Sequence, residues 1–232
     1  MKKKDKLDIL YEDKNLIVVN KKSGILTIST DKEYENTLYS EVSNYEKKKD
    51  KKNKIFIVHR LDKDTSGIVI FAKNIHTKNI LQNSWENVVR KYIAVVHGQA
   101  KEKEELKSYL FETKTFQVFS TKNPKKGKLA ITEYEKITEN SKYSLLSINI
   151  KTGRKNQIRV QLSDINQPIV GDKKYGNKKE NQKRLFLQAN FNEFKHPITS
   201  KIITIETGIP KEFNTLITIP KTDKKLPSLL IK

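Results

Sequence analysis

The sequence contains no cysteine, which excludes disulfides, thiolate nucleophiles and cysteine-ligated zinc and suits a reducing cytoplasm. Its histidines are His59, His76, His97 and His196, and no two stand at i,i+4, so no metal centre is expected. No stretch approaches the roughly 18 consecutive apolar residues of a membrane span. The lysine-rich start, MKKKDKLDIL, has no apolar run behind it, so neither a membrane anchor nor a processed leader is expected. There is no internal repeat and no Gly/Ser/Pro linker to divide the 232 residues, which leaves one catalytic domain as the default. The phosphate-cradling pattern G-x-x-x-x-G-K-[ST] is also missing.

What is present in excess is positive charge. Lys and Arg number 47 against 27 Asp and Glu, a formal charge of +20. Such a surplus attracts polyanions such as nucleic acid or an anionic membrane. A Lys-, Asn- and Ile-rich composition reflecting a biased genome would produce the same number, so charge alone assigns no partner. No amphipathic helix with a large apolar face is evident, which sets the membrane aside.

Short β-like runs recur at Leu16–Asn20, Ile55–Val58, Ile68–Ala72, Tyr92–Val96 and Ile202–Thr207. LAITEYEKI from Leu129 and YSLLSINI from Tyr143 alternate as half-solvated antiparallel strands do. Helical spacing appears in Ile80, Leu81, Trp85 and Val88, and in Ile158, Leu162 and Ile165 behind the turn at Thr152-Gly153. The expected fold is α+β, a mixed, mostly antiparallel sheet flanked by helices and loops. A basic lead at residues 1–7 and a loose tail at 221–232 bracket a domain over 8–220. Tyr45–Lys54 (YEKKKDKKNK) is nearly all charge and reads as a solvated loop or frayed helix.

The stretch HRLDKDTSGIVIFAK, from His59 to Lys73, gathers ionisable and hydroxyl side chains in a loop between two apolar strands. Spacing does not choose between its carboxylates, Asp62 and Asp64. Taken alone, the stretch reads more readily as a polar turn whose Asp and Ser side chains cap the backbone. The kinase pattern H-R-D does not fit, because Leu61 displaces the acid and no glycine-rich loop, V-A-I-K or D-F-G accompanies it.

The whole string resembles the signature of the RluA-type pseudouridine synthases. Five further blocks follow the family's order: YEDKNLIVVNKKSGIL from Tyr11, RKYIAVVHG from Arg90, KTGRKNQIRVQL from Lys151, PIVGDKKYG from Pro168 and RLFLQANFNEFKHP from Arg184. The resemblance implies an isomerase that turns uridine into pseudouridine in structured RNA, ribosomal RNA first and transfer RNA as the alternative. It implies Asp62 as the catalytic carboxylate, Arg159 as the basic residue that pairs with it, and Tyr92 as the aromatic that stacks on uracil. Arg60 would fill the gap left by the everted uridine, whose extrusion costs a few kcal/mol. RNA contacts are implied for His59, Thr65, Lys91, Arg154 and Gln157. No cofactor or metal is called for, since the chemistry is redox-neutral and the acceptor carbon lies in the substrate. Relatives act as monomers, and the small N-terminal RNA-binding domain that some carry is not expected here. Departures are Lys22 where many have proline, Lys155-Asn156 where T-H or S-H is commoner, and Gln188 in place of a histidine. A catalytically silent RNA-binding or ribosome-assembly factor on the same fold is the competing reading. Pure binding has no use for a carboxylate facing phosphates, and intact Asp62, Tyr92 and Arg159 count against it.

Overall fold

A computed structural model describes residues 7–29, 36–176 and 180–219. The expected tail at 221–232 and all but Leu7 of the expected lead lie outside them. The chain runs through β1 (Ile9–Glu12), β2 (Leu16–Lys21), α1 (Leu38–Lys49), β3 (Phe56–Ile57), β4 (Ser66–Ala72) and α2 (Ile75–Asn83). It continues with β5 (Val89–His97), β6 (Lys103–Glu112), β7 (Val118–Thr121), β8 (Lys128–Glu139) and β9 (Tyr143–Ile150). Last come α3 (Gln157–Asp164), β10 (Leu187–Lys195) and β11 (Ile202–Glu206). Every strand pair with a described register is antiparallel, and a parallel bridge joins Leu26 to Thr37. The fold is α+β, as expected. Contacts gather the described residues into two compact units, one from those up to Arg90 together with Ala189–Thr207, the other from those of Lys91–Gln188 together with those from Gly208 onward.

In the first unit β2 and β4 are apolar along nearly their whole length because both faces are covered. They pair from Leu16↔Ala72 to Lys21↔Gly67. Leu16, Val18, Ile68, Ile70 and Leu81 of α2 close one core, each contributing about 1.5–3 kcal/mol by leaving water. Gly67, the second residue of β4, has φ +116, and a Cβ there would lie 2.1 Å from the Ala189 carbonyl oxygen. Only glycine lets β4 and β10 approach this closely. Of the two forms expected for Tyr45–Lys54, its first half takes the helical one and completes α1, but it is not wholly solvated. Thr37 and Ser40 form a capping box at the helix start. At the other end Glu46 is buried and takes Lys49 and Lys73 at 2.8 and 3.2 Å, while Glu12 pairs with the same two lysines. Charges that look solvated in sequence are thus partners across the fold.

In the second unit the strands lie in the order β5-β9-β8-β6-β7. Ile93, Val95, Leu146 and Ile148 pack with Ile158 and Leu162 of α3 in its core. Gln157 and Gln161, one turn apart on α3, fasten the helix to the strands. The Gln157 amide nitrogen donates to the Ile131 carbonyl and Thr132 hydroxyl, and that of Gln161 to the Ala130 and Leu106 carbonyls and the Ser108 hydroxyl. At 3.6 residues per turn, Arg159 between them points about 160° away from either glutamine. The Q-I-R-V-Q spacing thereby anchors one side of the helix and presents the arginine on the other.

Candidate active site

The first unit holds the loop between β3 and β4, and its main chain is gripped from several sides. The Thr27 hydroxyl donates to the Leu61 carbonyl at 2.8 Å and accepts from the Leu61 amide at 3.2 Å. Lys21 is only 1 % exposed, so its ammonium has to find oxygen within the protein. It donates to the carbonyls of Lys22, Ile25 and Lys63 at 3.1, 2.7 and 2.9 Å, which ties the end of β2 to the loop. Gly24 donates its amide to Lys63 as well, and the Ser23 hydroxyl donates to the Asp64 carbonyl. Asp62 sits between these anchored neighbours, half-buried, whereas Asp64 and Arg60 are exposed. The two carboxylates that spacing leaves equal therefore differ in setting.

His59, an expected RNA contact, is half-buried and also serves the fold. Its Nε2 accepts the Ile70 amide at 3.0 Å and its ring stacks on Trp85 with centroids 4.4 Å apart. Burial, with the Arg90 charge adding to it, pushes the imidazole down to about 3, which keeps the accepting nitrogen unprotonated. In the unfolded chain the ring takes a proton below about pH 6.5. This stabilisation is therefore complete above that pH and is lost progressively toward the folded value. We expect urea unfolding of the wild type to show a loss on the order of 1 kcal/mol by pH 5, discounted because the ring is partly open to water. The change should be smaller in His59→Gln. An equal pH response in the two proteins would remove His59 as its source. Thr65, a second expected contact, is also buried.

The second unit holds Tyr92 and Lys91 on β5, both half-buried, and Arg159 on α3. Arg159 is 5 % exposed and makes a two-pronged pair with Asp172, Nε to Oδ2 at 2.7 Å and Nη2 to Oδ1 at 2.8 Å. Asp172, 1 % exposed, also accepts the amides of Lys174 and Tyr175. Burial alone would raise its carboxyl, but the hydrogen bonds and charge of Arg159 together with the two amides outweigh it and hold the group below its usual range. The Tyr175 ring lies 5.3 Å from the guanidinium carbon. Asn156 precedes the helix at φ 54, a left-handed conformation that asparagine tolerates. Its amide donates to the Tyr175 hydroxyl at 3.0 Å and accepts from Arg159 at 3.3 Å. The departure at Asn156 thus has a physical part to play, in orienting the arginine.

Gln157, another expected RNA contact, is likewise turned inward: its Oε1 accepts the Thr152 hydroxyl and the Arg154 amide, and it is buried. It holds the turn from which Arg154 projects. Arg154 is exposed, with Nε on the Leu129 carbonyl. Gln188, the third departure, is buried and donates to the Gly208 carbonyl at 3.2 Å. Sequence reasoning missed Asp172, although it quoted the block P-I-V-G-D-K-K-Y-G, and it missed Lys21 and Thr27 as clamps. Among the described residues no three His, Asp or Glu stand together as a metal site. No helix among them is long and apolar enough to cross a membrane.

Residues 15–164, which include Asp62, Tyr92 and Arg159, match the family described as RNA pseudouridylate synthase. The chain belongs to this family. It is 32 % identical to tRNA pseudouridine synthase C of Haemophilus ducreyi over 90 % of this chain and 94 % of that protein. It is 35 % identical to ribosomal large subunit pseudouridine synthase D of Borreliella burgdorferi over 78 % of this chain and 58 % of that protein. In fold it resembles human RNA pseudouridylate synthase domain containing 4, with a TM-score of 0.75, 22 % identity and coverage of 89 % and 90 % of the two chains. This synthase is accordingly an isomerase acting on RNA, and its relatives carry names for both ribosomal and transfer RNA.

Proposed function

We propose that this synthase isomerises uridine in ribosomal RNA and that Asp62 carries the chemistry. The ionised carboxylate attacks C1′ of the ribose as the bond from C1′ to N1 breaks, and uracil leaves with the electron pair. The base then turns to present C5. A carbon–carbon bond forms at C1′ while the carboxylate departs, C5 gives up its proton and N1 gains one. Atoms and electrons balance without an oxidant or co-reactant. Tyr92 and Arg159 serve the same reaction, the first through an aromatic face and a hydroxyl that suit a turning base, the second through a guanidinium held in fixed orientation by Asp172. Arg60, exposed on the Asp62 loop, is proposed to fill the space of the everted nucleotide.

The observation that carries this reading is the family match over residues 15–164 with Asp62 intact on a clamped loop. Ribosomal RNA is supported by the 35 % identity to the large-subunit enzyme, and transfer RNA by the near-complete span, 94 %, of the tRNA enzyme. Mapping pseudouridine in total RNA from cells with and without this protein separates them. We expect sites in large-subunit ribosomal RNA to vanish in its absence. Loss confined to transfer RNA would transfer the assignment, and an unchanged map would defeat it.

A further inference from the structure

The hairpin joining β6 to β7 holds an aromatic ring where folding has no use for one. Its loop is closed by the Thr113 amide on the Gln117 carbonyl at 2.8 Å and by the Phe116 amide on the Thr113 carbonyl at 2.9 Å. Phe116, at the tip, has φ 61, a left-handed conformation that glycine or asparagine normally supplies. The residue is 72 % exposed, so the strain is not offset by burial. The tip is nevertheless held in place, with the Phe116 carbonyl accepting the Lys174 ammonium at 3.1 Å and the Lys155 ammonium 5.4 Å from the ring centroid. Phe119, 43 % exposed, lies close along the same hairpin with its ring 6.0 Å from that of Phe111.

Beside the base of this hairpin is a cavity of about 580 Å³ whose lining includes Lys125, Lys126, Lys128, Arg154 and Lys155. Its acidic member, Glu112, is paired with Lys155. An exposed aromatic bordered by cations is a poor match for an apolar protein partner. It suits an unpaired nucleotide, whose base stacks on the ring while neighbouring phosphates meet the lysines.

We propose that Phe116 is a stacking platform for an unpaired base of the RNA substrate, with the Lys125–Lys128 loop and Lys155 receiving the adjoining phosphates. The inference rests on the reading of this chain as acting on RNA, and it adds a recognition surface outside the residues assigned to chemistry.

Phe116→Gly tests it, because glycine relieves the left-handed backbone while removing the ring. Melting temperature is expected to hold or rise, while affinity for single-stranded oligouridine falls about tenfold and affinity for a blunt RNA duplex does not change. Phe116→Trp is expected to keep wild-type affinity. Lys125→Ala with Lys126→Ala should flatten the salt dependence of oligouridine binding by about 1.4 units of log–log slope, which Phe116→Gly should leave alone. Undiminished oligouridine affinity in Phe116→Gly overturns the platform, as does an equal loss on duplex. If the wild type isomerises uridine while Phe116→Gly binds normally, this surface fails and the proposed function stands. If Phe116→Gly loses single-strand affinity but the wild type isomerises no RNA, the platform stands and the proposed function fails.

Discussion

Asp62→Ala is expected to lower the isomerisation rate by on the order of 10⁴-fold or more, as removal of a nucleophile does, with little change in RNA affinity. The two readouts separate because they depend on different groups. In the proposed mechanism bond cleavage at C1′ requires the carboxylate, whereas binding would rest on Lys and Arg contacts to phosphate, and a chain of net charge +20 has Lys and Arg in surplus. Release of tritium from RNA labelled at uridine C5 measures the first, and filter binding on the same RNA measures the second. Asp64→Ala is the matched control, since Asp64 is exposed and only its backbone carbonyl is engaged by the Ser23 hydroxyl. It should remain within about twofold of wild type, as surface substitutions usually do. Tritium release persisting in Asp62→Ala, or equal losses in the two aspartate variants, would dismiss Asp62 as the reacting group.

Asp172→Ala should cost about 3–5 kcal/mol of folding stability, the usual penalty for removing one member of a buried ion pair. The guanidinium of Arg159 would lose both prongs of its pair while remaining enclosed, and the amides of Lys174 and Tyr175 would lose their acceptor. Replacing both partners with apolar residues, Arg159→Met with Asp172→Leu, should recover much of that stability without recovering isomerisation. Urea titration at neutral pH and the tritium assay report the two quantities independently. Recovery of activity in the double variant would show that Arg159 acts in folding alone.

Much of the architecture was legible because local pattern and final environment agree. The runs that became β2 and β4 are covered on both faces, and β8 alternates as a strand with one wetter face does, whereas β9, expected to alternate likewise, is buried along most of its length. β6, KEELKSYLFE, was not read as a strand because its Lys and Glu suit a helix equally well. Pairing with β8 from Lys103↔Glu135 to Leu110↔Lys128 decides the matter, and that pairing is not a local property. Glu46 misled for the same reason, since its lysine partner Lys73 is far off in sequence. At the site, the H-R-L-D and Q-I-R strings were visible, but the burden carried by each residue was not. His59 and Gln157 look like polar contacts for a ligand and are spent on the Ile70 amide and on the strands under α3. Asp172 follows Arg159 by thirteen positions, and no periodicity links them. The fold brings them together, so a single sequence does not reveal the pair.

The grip on the Asp62 loop is made almost wholly through peptide oxygens: Lys21 and Gly24 hold that of Lys63, Thr27 that of Leu61, and Ser23 that of Asp64. Peptide oxygens are common to all twenty amino acids, so this scaffold does not itself dictate which side chains stand on either side of Asp62. Position 64, whose residue is exposed and whose carbonyl is the gripped group, is consequently a natural place to diversify in a randomised library, where the local field around Asp62 can be retuned while its perch stays fixed.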